Sequence, residues 1–241
     1  MSNLPLYQEL HDHILRYINS HEYPENGLLP SERDMCQMYK VSRSTVRQAL
    51  ALLEEENMVY TIHGIGTFVK PKVFEQNLSQ FYSFTDALKK MNISFYNRVL
   101  SYETLIPGRS LALKLKADRK VTYHKLVRLC FARDYPLIIE TTYLPKNRFV
   151  HIDVNATESQ SLYDYLSAKY GLKVDHATET FVPILPDSEQ CELLKISPRI
   201  PCLQLERFSY EDGCLVEYTS SVVRGDKYVF KIELNNQNNQ K

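Results

Sequence analysis

Between residues 40 and 47 the segment KVSRSTVR brings Lys40, Arg43 and Arg47 within two helical turns and interleaves them with Ser42, Ser44 and Thr45. An arginine fork can pair two acceptors on a guanine edge, and short hydroxyls reach phosphate oxygens at little steric cost. The chemistry available to such a set is recognition of a polyanion, not the breaking of bonds. Ser42 can cap a helix running through Val46, Ala49, Leu50 and Leu53, and Asn57 suits its left-handed stop. The cations then lie at the positive end of the helix, the end that enters a major groove. Glu54, Glu55 and Glu56 crowd the far end and read as a solvated face.

Residues for covalent or metal chemistry do not assemble. His11 and His13 lie two apart on a helix and point in different directions, and His124, His151 and His176 have no partner at ligand spacing. Asp153, Asp164 and Asp175 are too loosely spaced for an acid–base pair. No GxSxG, P-loop or dinucleotide fingerprint is present. The cysteines, Cys36, Cys130, Cys191, Cys202 and Cys214, are odd in number and lack a CxxC pair, which favours reduced, buried thiols over zinc or disulfides. No catalytic residue, metal or cofactor is expected, and the chain is not expected to be an enzyme.

The elements that position the cations follow from periodicity. Leu6, Leu10, Ile14 and Ile18 form a helical stripe, Pro24 to Pro30 make a turn-rich connection, and Ser31-x-x-Asp34 starts a short second helix. The helix capped by Ser42 follows after Lys40 and Val41, a helix-turn-helix spacing. Residues 58–62 and 67–69 then read as strands around His63-Gly64-Ile65-Gly66, whose glycines permit a tight hairpin. Three helices and a small hairpin describe a winged helix.

With 241 residues and 28.2 kDa, the chain has length for two ordinary domains. Its net charge is zero, and over residues 1–72 acidic residues outnumber basic ones. DNA binding must therefore rest on a local patch and not on overall charge. The N-terminus lacks the apolar core of a signal peptide, and no run approaches the roughly 18 apolar residues of a membrane span. A cytoplasmic location without a membrane partner is expected.

Pro30-Ser31-Glu32-Arg33, Val41 to Leu50 (VSRSTVRQAL) and Gly64 to Val69 (GIGTFV) resemble, in order and without a gap over residues 5–70, the winged-helix domain of GntR-family bacterial transcription regulators. The resemblance implies that Arg33, Arg43 and Arg47 approach guanine edges or nearby phosphates and that Ser42, Ser44 and Thr45 hold the DNA backbone. It also implies a wing of His63, Gly64, Gly66 and Thr67 entering the minor groove. His63 stands where many members carry Arg or Lys, which makes the wing's charge weaker or pH-sensitive.

Residues 71–80 read as a linker. Beyond it, strands are expected over 93–105, 121–131, 137–143, 173–185, 203–210, 215–223 and 228–234, with helices over 84–91, 159–169 and 188–194 and a polar tail at 235–241. Hairpin turns are expected at 132–136 and 211–213. This is an α+β domain around an antiparallel sheet, so the division is 1–70, 71–80 and 81–241. The stretch 126–145, with Glu140-x-x-Tyr143-Leu144-Pro145 and Ser161-Leu162-Tyr163, resembles the UTRA effector domain of the HutC-type branch of GntR regulators, which shares the chorismate-lyase fold but acts as a ligand sensor. In members that sense phosphorylated sugars, the resemblance implies that Arg128 grips the phosphate, aided by Thr85, Ser161 and Tyr163. Tyr143 belongs to the same motif, and Glu140 and Glu217 would bind hydroxyl or amino groups. Many such sensors carry Arg two residues after Arg128, and here Cys130 stands there, on the same strand face, so one cation is missing.

The expected function is a homodimeric, ligand-responsive regulator that binds double-stranded palindromic operator DNA, a repressor released by a small sugar, sugar phosphate or other polar effector. Two alternatives stay open at this point: a chorismate-lyase-like enzyme fused to a DNA-binding domain, and a DNA-binding protein whose second domain only dimerises.

Overall fold

The polar residues that end and begin the first helices set the geometry of everything that follows them. In the computed structural model, which describes residues 4–20, 22–71, 73–78, 83–116 and 121–234, α1 spans Leu6–Asn19, α2 Glu32–Tyr39 and α3 Arg43–Glu55. Ser31 accepts the Asp34 backbone N–H and Ser42 accepts that of Thr45, each at 3.2 Å, satisfying one of the free donors that open each helix. Lys40 takes the left-handed conformation at φ 54°, so the chain reverses between α2 and α3 within three residues. Asn57 ends α3 at φ 58°, as its position predicts.

Strands β1 (Val59–Ile62) and β2 (Gly66–Val69) pair as the antiparallel wing. Gly66 has φ 150°, a backbone conformation that L side chains rarely adopt, so glycine suits this position. Leu10, Ile14, Ile18, Met35, Val46, Ala49, Leu53, Val59 and Val69 form one core under the helices and the wing. Leu6, expected in the α1 stripe, is exposed in the first turn of the helix.

His11 is buried on α1 with Nδ1 2.9 Å from Asp12 and Nε2 2.8 Å from Glu56 at the end of α3. Burial of the ring opposes its charged form, but hydrogen bonds to Asp12 and Glu56 outweigh that, and its pKa is raised. The folded unit thus binds this proton more tightly than the unfolded chain, whose histidine titrates near about 6.5. The stabilisation is complete below that value and is lost as pH rises through the higher folded value. Thermal melts should show the midpoint of this unit falling by a few degrees over that interval, and His11→Gln should flatten the fall.

Two compact units divide at residues 72 and 73. In the second, β3 (Phe74–Asn77) precedes α4 (Phe84–Lys90), β4 (Phe95–Leu105) and α5 (Arg109–Lys114). Then come β5 (Tyr123–Ala132), β6 (Tyr135–Pro145), α6 (Ala156–Ser159) and α7 (Leu162–Tyr170). The unit finishes with β7 (His176–Ile184), α8 (Ser188–Leu194), β8 (Cys202–Glu211), β9 (Cys214–Arg224) and β10 (Tyr228–Lys231). Six strands form one antiparallel sheet in the order β4-β5-β6-β9-β8-β7. Its hairpins turn where φ becomes positive, at Arg133 between β5 and β6 and at Asp212-Gly213 between β8 and β9.

The structure departs from the sequence-based expectation at three places. Part of the segment read as linker is β3, which pairs in parallel with β10, burying Phe74 and Gln76. Its four residues are too few to show a period, and the partner that orders them, β10, lies more than 150 residues further along the sequence. The helix expected over 159–169 is α7, which starts later, at Leu162, because Gln160 is extended and Ser161 stands at the helix cap, and the short α6 precedes it. Helix α5 was not expected at all. Residues 72, 79, 80 and the 235–241 tail lie outside the described residues.

Candidate functional site

In the first unit, Arg43 opens α3 and Arg47 follows one turn later, with side chains 72% and 63% exposed. Both turn their Nε toward one carboxylate. Arg43 Nε donates to Glu32 Oε2 at 2.8 Å, and Arg47 Nε donates to both Glu32 oxygens at 3.0 Å. The Arg43 hydrogen bond holds the Glu32 carboxyl below its ordinary range, with Arg47 adding to the effect. Ser42 Oγ lies 2.8 Å from the hydroxyls of both Ser44 and Thr45, a ledge beside the arginines. Arg33 is exposed on the first turn of α2. Glu32 shares a groove with the wing residues His63, Gly64, Gly66 and Thr67. The cationic helix start and the wing therefore flank a common surface.

In the second unit the register of the sheet builds a pocket floor. Val99, Arg128, Glu140 and Ser221 stand opposite one another across β4, β5, β6 and β9, with Leu205 next on β8. Two residues along, Thr142, Thr219 and Arg207 form a second row that ends at Glu179 on β7. Asn97, Cys130, Ile138 and Val223 form a third. Because side chains alternate along a strand, all three rows face one way. The first residues of α4 and α7, with Tyr228 and Phe230 of β10, cover this floor and enclose a cavity. The opposite face carries Leu129, Phe131, Ile139 and Val222 against Leu194 of α8.

Arg128, 4% exposed, donates from Nη2 to Glu140 at 2.6 Å. Its Nε and the Oδ1 of Asn97 are buried and, among the described residues, have no hydrogen-bond partner. Such groups cost free energy unless something satisfies them, and both residues line the cavity. Asn97 Nδ2 is fixed by the Thr157 carbonyl at 3.1 Å. Nearby, Ser161 Oγ donates to Ser83 Oγ at 3.2 Å, and Thr85 lies 3.1 Å from the same serine. At the other end Glu217, 2% exposed, accepts from Ser209 at 2.6 Å, from Tyr163 at 2.8 Å and from Thr219. Burial pushes the Glu217 carboxyl up, although Arg207 and these hydroxyls oppose it. Arg207 Nε donates to Glu179. Burial also raises the Cys130 thiol well above its ordinary value, leaving it neutral.

Six of the seven residues expected in this pocket, Thr85, Arg128, Glu140, Ser161, Tyr163 and Glu217, line it. Tyr143 does not. Three residues from Glu140 on one strand, it falls on the other face of the sheet, where its ring stacks on Tyr218 with centroids 5.7 Å apart. The DNA-facing set expected in the first unit lies on or beside the arginine ledge and the wing. Among the described residues no group of three or more His, Cys, Asp or Glu gathers to hold a metal, and no helix is long and apolar enough to cross a membrane.

The sequence profile of bacterial regulatory proteins of the gntR family matches residues 6–69, and that of the UTRA domain matches residues 90–229. The chain belongs to the gntR family. It is similar to the HTH-type transcriptional repressor NagR of Bacillus subtilis, 30% identical over 230 residues, covering 95% of this chain and 94% of that one. It is also similar to the mannosyl-D-glycerate transport/metabolism system repressor MngR of Escherichia coli, 28% identical over 233 residues, or 96% and 97% of the two chains. The crystal structure of PhnF from Mycobacterium smegmatis superposes with a TM-score of 0.70 at 27% identity, covering 93% and 98%.

This gntR regulator is thus a DNA-binding transcription regulator with an antiparallel UTRA effector domain, and the pocket described above lies in that domain. The sequence reading missed several of its pocket residues, chiefly Arg207, Asn97, Thr142 and Ser221. Arg207 matters most, because it returns to the pocket a second guanidinium where Cys130 had suggested only one. Its signal was the alternation of β8, but reading it needs the register against β9.

Proposed function

We propose that this regulator is a cytoplasmic homodimeric repressor that leaves a two-fold-symmetric operator when a small polyhydroxylated anion occupies the UTRA pocket. The observation that carries the reading is the Arg128–Glu140 pair on the cavity floor, with an unsatisfied Arg128 Nε among hydroxyls and a second carboxylate, Glu217, at the far end. A guanidinium edge pairs an acidic group of a ligand, while carboxylates accept its hydroxyls. Each guanidinium is already held by a carboxylate, Arg128 by Glu140 and Arg207 by Glu179, which favours a singly charged acid over a dianion. The name of MngR, which joins a sugar to glycerate, a carboxylate, is consistent with that choice. Glu140 is held by Arg128 and Glu217 by three hydroxyls, which supports binding and not turnover. One winged helix buries little DNA, and this supports two copies on paired half-sites.

A thermal-shift screen of sugars, sugar acids, sugar phosphates and amino acids, followed by DNA mobility shift with each hit, tests the reading. A sugar acid should raise the midpoint and release DNA, since a ligand of the native state stabilises it by mass action. Stabilisation by none of them, or without any change in DNA binding, overturns it. Cys130→Arg, beside Arg128 on the floor, adds a charge-assisted donor and should strengthen binding of sugar phosphates over their neutral parents by about tenfold. Calorimetric titration of both partners of each pair checks this.

A further inference from the structure

We infer that Glu32 is a positioning residue that holds Arg43 and Arg47 as one preset reading unit and also suppresses non-specific DNA binding. The inference rests on the reading of those two arginines as base contacts. Its ground is a geometry that helix stability does not require: one carboxylate on α2 accepts Nε from two arginines one turn apart on α3. A guanidinium has five donors in a planar fork. Using Nε on Glu32 leaves the two terminal nitrogens of each arginine to engage a guanine edge, and both forks are aimed before DNA arrives. Long exposed arginines otherwise lose much rotamer freedom on ordering, a cost that preorganisation lowers.

The same carboxylate acts in the opposite sense on non-specific duplex. It lies partly exposed, with 31% of its side chain accessible, in the groove shared with the wing. On random sequence, where the forks find no matched acceptors, its charge opposes the phosphates. Glu32 therefore raises the ratio of specific to non-specific binding from both sides.

The test uses the full-length protein and two duplexes: one selected by the wild type from a random pool, and a scrambled duplex of equal length. Glu32→Gln should weaken binding to the selected duplex by about tenfold and strengthen binding to the scrambled one by a few-fold. Glu32→Asp keeps the charge but is one methylene too short to bridge both arginines. It should weaken selected binding without strengthening scrambled binding. A purely structural role would move both duplexes together, and that result, or an unchanged ratio in Glu32→Gln, overturns the proposal. Arg43→Ala and Arg47→Ala run alongside separate the two levels. If they lose discrimination while Glu32→Gln keeps it, only the positioning role fails, and if they keep it, the base-reading assignment fails with it. Circular dichroism and melting of each variant confirm that α2 still forms.

Discussion

Arg128→Ala should abolish the effector's influence on DNA binding while leaving operator affinity without effector within about twofold, because a ligand shifts a conformational equilibrium only by its differential affinity for the two states. Removing the guanidinium deletes both the buried Nε donor and the partner of Glu140. The second loss carries its own cost. Breaking one side of a buried ion pair typically destabilises by about 3–5 kcal/mol, less here because the Glu140 side chain keeps 17% of its exposure. The melting midpoint should therefore fall alongside the loss of response. A double variant, Arg128→Met with Glu140→Leu, separates the two effects, since replacing a whole pair by apolar volume is often neutral or stabilising. It should melt near the wild type and still fail to respond. Mobility shift across an effector titration reads the outcome, and release of DNA at the wild-type concentration by the double variant would remove Arg128 from the site.

The second large effect belongs to the head of α3. Arg43→Ala and Arg47→Ala should each cost about 1–3 kcal/mol of specific binding, tenfold to more than a hundredfold, with little change in melting. Stability is spared because both side chains are mostly exposed and their shared partner is a surface carboxylate. The double variant should lose less than the sum, since each single change already disturbs the Glu32 bridge. Arg33→Ala should also weaken specific binding, with a loss confined to one base pair if it reads a base and shared by all sequences, with a lower salt dependence, if it meets a phosphate. Competition assays with matched and mutated half-sites at two salt concentrations distinguish these behaviours.

The two units differed in how far the sequence could be read. The winged helix was legible because its determinants are local: serine caps at 31 and 42, a left-handed Asn57, and glycines flanking a wing tip. The sensor was legible where a hairpin brings neighbours together, as with Arg128 and Glu140, which stand opposite each other across β5 and β6. Arg207, Thr142 and Ser221 were not, because a lone polar residue on a strand shows its face only when the register of a distant partner is known. Tyr143 is a different case. The period of two already separates it from Glu140, three residues earlier on the strand.

The parallel pairing of β3 with β10 sets an order of events during synthesis. The winged helix needs only contacts within about its first seventy residues, so it can fold as soon as they leave the ribosome. The effector cavity needs Tyr228 and Phe230, which arrive with the final strand. At typical elongation rates of about 5–20 residues per second, on the order of ten seconds separate a folded winged helix from a completed effector cavity. For that interval a nascent copy carries a folded winged helix beside an unfinished sensor, and a chain truncated before residue 228 would stay in that state.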